Sequence, residues 1–426
     1  MKPKNKFQEQ VFELSKKLPP INKIQKEWAF QNCIEHIGRK TKSGVITCLE
    51  CGHAWQGNSH LSDTILGSEC PECSAKLKVT NTLKRVFKQS EYFCIVTTKE
   101  NFQVLRFFLI RYYAKTGHKA QYFISEVVQR WIATNGKYST IARIRPLSYY
   151  DDTWNFSSEL EIRPEKDHHS IIPACVYPRL RLISELKRSG YKGENHGLTH
   201  FRLFQTLLSH SRAETLLKAG QTNVLKYFAG KNFHNIDNYW TSIKICIRNN
   251  YHIKDVSIWR DYIDLLHFFG KDLHNAKYVC PTDLSAEHDR YVKKKREHQE
   301  RKDREQKKKK VLEDEATFKE LKSRFFGIQF TDGAIQIRML ESVAEIMQEG
   351  DIMHHCVFVN EYHLKPDSLI LSACVNGEKV ETIEFSLSTM QVVQSRGVCN
   401  KNTKYHNKII ELITKNRRKI KQRMAA

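Results

Sequence analysis

The sequence predicts a multidomain α+β protein, and three observations carry that prediction. Two Cys-x-x-Cys pairs stand near the start, Cys48-Leu-Glu-Cys51 and Cys70-Pro-Glu-Cys73. The hydrophobic period changes along the chain between about 2 and about 3.6 residues. A basic stretch between Pro281 and Gly327 contains neither proline nor glycine. Together they give an N-terminal zinc ribbon, an antiparallel β domain, a helical bundle, a long basic helix and a small α+β C-terminal domain. At 426 residues the chain is too long for one core. The segments fall at 1–85 (N-terminal helices plus ribbon), 86–170 (β domain), 171–285 (helical domain), 286–326 (linker helix) and 327–426 (terminal domain).

Phe7, Val11 and Leu14 recur at helical spacing, Pro19-Pro20 interrupts, and Ile24 and Trp28 resume, so 1–36 reads as helical. The two cysteine pairs follow, 18 residues apart, inside the roughly 15–20 spacing of a four-cysteine zinc site. Gly52, Gly67, Ser68 and Ser74 flank them, as tight metal-binding turns require. Four thiolates leave no open coordination position, so the implied Zn²⁺ is structural. His53 and His60 stand close enough in sequence to replace one thiolate. Val45-Ile46 and Leu77-Lys78-Val79 read as short flanking strands.

From 91 to 163 the residues alternate and are rich in β-branched and aromatic types. Residues 92–98, 102–113, 122–133 and 138–144 read as four antiparallel strands, with turns at Lys99-Glu100-Asn101, Thr116-Gly117 and Asn135-Gly136. From 178 to 280 the helical period returns. Phe201, Phe204, Leu207 and Leu208 share one face, and Trp259, Tyr262, Ile263, Leu266 and Phe269 another. Gly190, Gly220, Gly230 and Gly270 divide these helices into a bundle.

Residues 290–310 hold twelve Lys or Arg against four Asp or Glu and read as one long exposed helix. It serves as a solvated spacer stabilised by interspersed opposite charges, or as a basic rod lying along phosphates. In the terminal domain Ala334–Leu340 is a strand, and the helix from Ser342 to Met353 turns Val343, Ile346 and Met347 inward. Residues 369–375, 380–387 and 391–395 form a meander with a type I′ turn at Asn376-Gly377. A last helix from about 403 ends in basic residues 415–423.

The formal net charge of +23 is clustered, which fits a polyanionic partner. The expected partner is a nucleic acid, DNA before RNA. The expected contacts are Lys293, Lys294, Lys295, Arg296, Arg301, Lys302, Lys307, Lys308, Lys309, Lys310, Arg417, Arg418 and Lys419. No apolar run approaches the ~20 residues of a membrane span. No signal-peptide stretch follows Met-Lys-Pro-Lys-Asn-Lys. A cytoplasmic protein is therefore expected, with no membrane contact. That reducing compartment favours metal ligation by the paired cysteines over disulfides. The other eight, Cys33, Cys94, Cys175, Cys246, Cys280, Cys356, Cys374 and Cys399, stand singly, and most read as core residues.

The terminal domain concentrates polar chemistry in Met353-His354-His355-Cys356-Val357, Thr382-Ile383-Glu384 and Gln394-Ser395-Arg396-Gly397 with Asn400. On these motifs the chain resembles the PcfJ-like family of bacterial mobile elements. The likeness extends more loosely over Trp240–Pro281, through Ser242-Ile243-Lys244 and Phe269–Asn275. The resemblance implies mobile elements and genetic conflict rather than a reaction.

The constellation has two physical accounts. In the enzymatic one, His354 or His355 is a general base or metal ligand, Glu384 a second ligand or acid, and Arg396 a clamp on a phosphate. Adjacent histidines on a helix diverge by about 100°, so one alone would face the site. In the structural account a buried His pairs with Glu384, while Gln394 and Asn400 satisfy backbone groups. Only one carboxylate is well placed, too few for a two-metal nuclease. The resulting expectation is a non-catalytic, zinc-containing nucleic-acid-binding accessory protein, with a homodimer as the expected assembly. It would assist a partner enzyme of conjugation, replication or defence, such as a CRISPR effector nuclease. The alternatives are a metal-dependent nuclease centred on the His/Glu/Arg cluster and a protein-binding scaffold.

Overall fold

The computed structural model describes residues 2–57, 62–146, 154–164, 169–230 and 233–425. The chain is multidomain α+β and divides into two compact units, Met1–His288 and Asp289–Ala426. The sequence suggests five segments, and the first unit gathers three of them because their apolar faces need one another.

Two helices open the first unit, α1 (Lys6–Lys16) and α2 (Lys23–Cys33), each N-capped by an asparagine side chain, Asn5 and Asn22. A five-stranded sheet follows, made of β1 (Ile37–Lys40), β2 (Val45–Cys48), β3 (Ala54–Gln56), β4 (Ser68–Glu69) and β5 (Lys76–Asn81) in the order β3-β2-β1-β5-β4, with α3 (Ser62–Leu66) in the connection. The pairing of β1 with β5 is parallel and zips the two ends of the cysteine-bearing segment together.

The larger sheet contains β6 (Val86–Lys99), β7 (Phe102–Lys115), β8 (Gln121–Ile132), β9 (Tyr138–Ala142), β10 (Glu161–Arg163) and β11 (Cys175–Val176), in the order β10-β9-β8-β7-β6-β11. Strands β6 to β9 are antiparallel, as the alternation predicts. Strand β11 is a correction, since it pairs parallel with β6 and carries the sheet past residue 170. The even-numbered residues of β7 face α1 and α2. Phe102 and Val104 pack with Val11 and Leu14 of α1, and Phe108, Ile110 and Tyr112 pack with Ala29 and Cys33 of α2. Between them buried Arg106 forks onto Glu126 (2.7 and 2.6 Å) and donates to the Pro19 carbonyl. The Pro19-Pro20 break thus folds both helices over one sheet face. The helices belong to this sheet's core rather than to a separate N-terminal domain.

Helices α4 (Ser184–Arg188), α5 (His200–Ser209), α6 (Ser211–Lys218), α7 (Thr222–Ala229), α8 (Trp240–Arg248), α9 (Val256–Phe268) and α10 (Ala276–Val279) complete the unit. Trp259 and Tyr262 of α9 are buried and donate to the Val279 and Tyr278 carbonyls of α10. Phe201, Leu208 and Phe269 are only half-buried, so the apolar stripes are narrower than their spacing suggests.

Helix α11 (Leu284–Lys322) is 39 residues long, about 58 Å at the usual rise per residue. The second unit adds β12 (Gln329–Thr331), β13 (Ile335–Met339), α12 (Val343–Met353), β14 (Ser368–Val375), β15 (Glu378–Ser386), β16 (Gln391–Arg396) and α13 (His406–Ala425). Its sheet runs β12-β13-β14-β15-β16, antiparallel throughout. Asn376 and Gly377 both take positive φ, as a type I′ turn demands. One core joins Phe318 and Phe325, Ile346 of α12, Leu371 and Ile383 of the sheet, and Ile409, Ile413 and Ile420 of α13. Burying each of these side chains contributes about 1.5–3 kcal/mol. Among the described residues no helix is long and apolar enough to cross a membrane.

Candidate functional site

The metal candidate is built by short turns. Cys48 ends β2 and Cys51 lies in the following turn, while Cys70 and Cys73 flank the turn between β4 and β5. The four sulfurs lie within 4.8 Å of one another, with Cys48 Sγ–Cys73 Sγ at 3.7 Å and Cys51 Sγ–Cys70 Sγ at 3.6 Å. A tetrahedral ion with bonds of about 2.3 Å needs sulfurs about 3.8 Å apart. The backbone amides of Glu50 and His53 donate to Cys48 and Cys51, the contacts that hold a thiolate's charge. The cluster can therefore hold a metal ion, and its donor set is all sulfur. His53 stacks on Trp55 and supplies no ligand to the group. His60 lies outside the described residues.

The metal turns are fastened to the large sheet. Ala120 donates to the Glu50 carbonyl and Tyr122 to the Glu50 carboxylate, which also pairs with His36. Burial pushes the Glu50 carboxyl up, but His36 and Tyr122 outweigh it and hold it below the usual value. Gly52 has φ +86°, and a Cβ there would lie 2.8 Å from the Gly117 carbonyl carbon. Only glycine fits so close an approach.

Of the other cysteines, Cys33, Cys94 and Cys246 are buried, whereas Cys356 and Cys399 are exposed. Cys280 is not single, since its sulfur lies 3.7 Å from that of Cys246. The expectation that most of the eight are core residues holds for three of them.

Every expected cation from Lys293 to Lys302 is exposed, as are Lys308 and Lys309. Lys307 and Lys310 differ, because they pair with Asp351 (2.8 Å) and Glu361 and tie the helix to its own unit. Arg296, Arg301 and Lys309 make i,i+4 pairs with Glu300, Glu305 and Glu313. On α13, Ile409, Ile413 and Ile420 turn inward, leaving Arg417, Arg418 and Lys419 exposed. Arg417, Arg418 and Lys421 line an open hollow of about 610 Å³ beside Met390.

A second hollow, about 270 Å³, lies between the β14–β15–β16 face and the segment after α12. The sheet contributes Ile370, Thr382, Glu384, Gln394 and Arg396, and the segment His355, Cys356, Asn360 and Tyr362. The cross-strand register explains the gathering, since Glu384 sits opposite Ile370 and Gln394, and Thr382 opposite Arg396. Three of the four candidate residues therefore meet, and His354 does not. The helix reading of the histidine pair is corrected, because α12 ends at Met353 and His354 takes a left-handed conformation (φ 54°) as its C-cap. His355 follows in the loop, and its Nε2 donates to the Gly397 carbonyl at 2.7 Å. A carbonyl only accepts, so Nδ1 carries the lone pair in the neutral ring.

Residues 258–410 match the model of the PcfJ-like protein family. No curated protein and no solved structure matches the chain. The PcfJ-like region takes in α11, the whole sheet of the second unit and every residue lining the 270 Å³ hollow, and it ends within α13. The four cysteines and Arg417–Lys419 lie outside it.

The carboxylates of the PcfJ-like region need two corrections. Glu384 pairs with no histidine. It accepts from Ser368 Oγ (2.6 Å) and Gln394 Nε2 (3.0 Å), so Gln394 serves a carboxylate rather than the backbone. Nor is it the single well-placed acid, because Glu349 and Glu381 are fully buried. Glu349 binds Lys379 and Thr382. Glu381 binds Ser395, Thr403 and His406. Burial pushes the Glu381 carboxyl up, and its hydrogen bonds from Ser395, Thr403 and His406 more than reverse that, leaving it below the usual value. Glu381 was missed at the level of sequence, where its one signal is that it shares strand parity with apolar Ile383 and Phe385. Among the described residues the four cysteines are the one group of three or more ligand atoms close enough to share an ion.

Proposed function

We propose that this chain is a zinc-stapled nucleic-acid-binding accessory protein that raises the affinity of a partner nucleic-acid enzyme for DNA or RNA. The exposed cations of α11 carry the reading. Lys293, Lys294, Lys295, Arg296, Arg301, Lys302, Lys308 and Lys309 are exposed along one continuous helix. Exposed i,i+4 pairs are worth about 0–1 kcal/mol, so phosphates can displace their glutamates. Arg417, Arg418 and Lys419 add a second basic face. Tethering such contacts to a partner adds phosphate neutralisation without chemistry. Zn²⁺, when bound by Cys48, Cys51, Cys70 and Cys73, supplies structure alone, because four thiolates close the coordination shell. One Zn²⁺ per chain is expected by elemental analysis, and Cys48→Ser should lower it.

Duplex binding should weaken steeply between low and physiological salt. Each phosphate contact removed by Lys293→Gln, Lys294→Gln, Lys295→Gln and Arg296→Gln should flatten the log–log slope by about 0.9. Salt-independent binding, or an unchanged slope in the fourfold variant, would rule the reading out.

The convergence of His355, Glu384 and Arg396 in one hollow favours a second reading, metal-assisted phosphodiester cleavage in the PcfJ-like region. Labelled single- and double-stranded DNA and RNA with Mg²⁺, Mn²⁺ or Zn²⁺ test it. Cleavage abolished by His355→Ala and by Glu384→Gln supports it, and activity undiminished in both removes it.

A further inference from the structure

We infer that the outer face of the β6–β7–β8 sheet is a stacking platform for unpaired nucleotides, separate from the basic helices and independent of them. The register places two rows of three side chains on that face. Lys88, Tyr113 and Gln121 pair across the strands in one row, and Ser90, Arg111 and Phe123 in the next. Residues directly opposite in antiparallel strands point to the same side. This is the side away from α1 and α2, since Tyr112 and Ile110 point to the helices.

The odd-numbered side of β7 is covered as far as Leu109 and then opens. Leu105, Phe107 and Leu109 are buried, whereas Arg111 and Tyr113 are exposed. Two aromatic rings are left in water there, Tyr113 at 37% and Phe123 at 50% exposure. They line a broad hollow of about 510 Å³ together with Lys88, Arg111 and Gln121. A lone exposed ring is ordinary. Two on adjacent strands, each beside a cation, are not. Lys88 Nζ lies 5.9 Å from the Tyr113 ring, and Arg111 lies 5.7 Å from Phe123 and 4.3 Å from Phe156.

Charge selects the occupant. In a chain with 47 acidic residues, none of the six positions is Asp or Glu, and two are cations. An acid-free face of rings, guanidinium, ammonium and amide suits a ligand that is both planar and polyanionic. Unpaired bases meet the rings, and their phosphates meet Lys88 and Arg111. A duplex hides its base faces and gains nothing from the rings.

The test uses the full chain, fluorescent single-stranded DNA and RNA 12-mers (~12 nucleotides, to cover one such surface) and the corresponding DNA duplex. Tyr113→Ala with Phe123→Ala should weaken single-strand binding by about tenfold or more, with duplex affinity, zinc content and melting temperature unchanged. Tyr113→Phe should bind like the parent, because stacking needs the ring and not the hydroxyl. The DNA and RNA arms identify the preferred sugar, and loss in either supports the platform. It is overturned by unchanged single-strand binding in the double variant, by equal loss for duplex and single strand, or by Tyr113→Phe failing as badly as alanine. Failure here leaves the salt slope of the α11 variant intact, whereas an unaltered slope with a ring-dependent single-strand loss removes the helix reading and keeps the platform.

Discussion

Glu381 has no accessible surface, yet its carboxyl sits below the ordinary value because Ser395, Thr403 and His406 all reach it. A depressed folded value means that the stabilisation is present above the unfolded pKa, about 4.3, and is lost as pH falls through the folded one. Urea midpoints followed by circular dichroism should therefore fall from pH 7 to pH 3.5. Glu381→Gln should cost about 1–3 kcal/mol at pH 7 and lessen the acid sensitivity. An equally acid-sensitive variant would assign the effect to another carboxylate. The same residue shows what was hard to read. Glu384 stands out within its motif, but Glu381 announces itself only through strand parity. His354 misleads because a left-handed C-cap is usually glycine, and a histidine there reads as a continuing helix.

At the scale of elements, α11 is held in two ways. Its later part is anchored by Phe318, by the His363–Asp314 pair at 2.7 Å, and by buried Lys322, which donates to the Lys365 and Pro366 carbonyls. Residues 292–306 are exposed apart from half-buried His298, and their i,i+4 ion pairs are worth about 0.3–0.5 kcal/mol each. Amide exchange measured by mass spectrometry should run at least about tenfold faster over 292–306 than over 314–322. High salt should widen the gap by screening the pairs. Uniform protection along the helix would contradict this. The helix itself was plain from its composition, as were the long strands of the larger sheet. Strands β1, β3 and β12 were not, because three or four residues are too few to show a period. The parallel β1–β5 pairing joins segments about 40 residues apart, and no local pattern reports it.

Across the whole molecule, each unit has a core of its own. Chelating the metal should therefore raise amide exchange over residues 36–81 and at the 117–122 hairpin, and leave residues 335–396 as they were. Exchange rising equally in both units would show that the metal supports the entire chain. The four-cysteine motif was readable from spacing, but its attachment was not, because Glu50, Tyr122 and Gly117 carry no signature of contact with it. The sequence likewise pointed to basic helices for nucleic acid and passed over the ring-bearing sheet face, whose cations and aromatics are scattered until the strands pair.

The approach of Gly52 to Gly117 seats the turn that follows Cys51 directly on the β7–β8 hairpin. With 2.8 Å between a notional Cβ and the Gly117 carbonyl carbon, a side chain at residue 52 has no room on that side. A methyl group added by Gly52→Ala would therefore press on the β7–β8 hairpin, whose strands carry Tyr113 and Phe123. One added carbon beside the cysteines would then be felt at a surface that touches none of them.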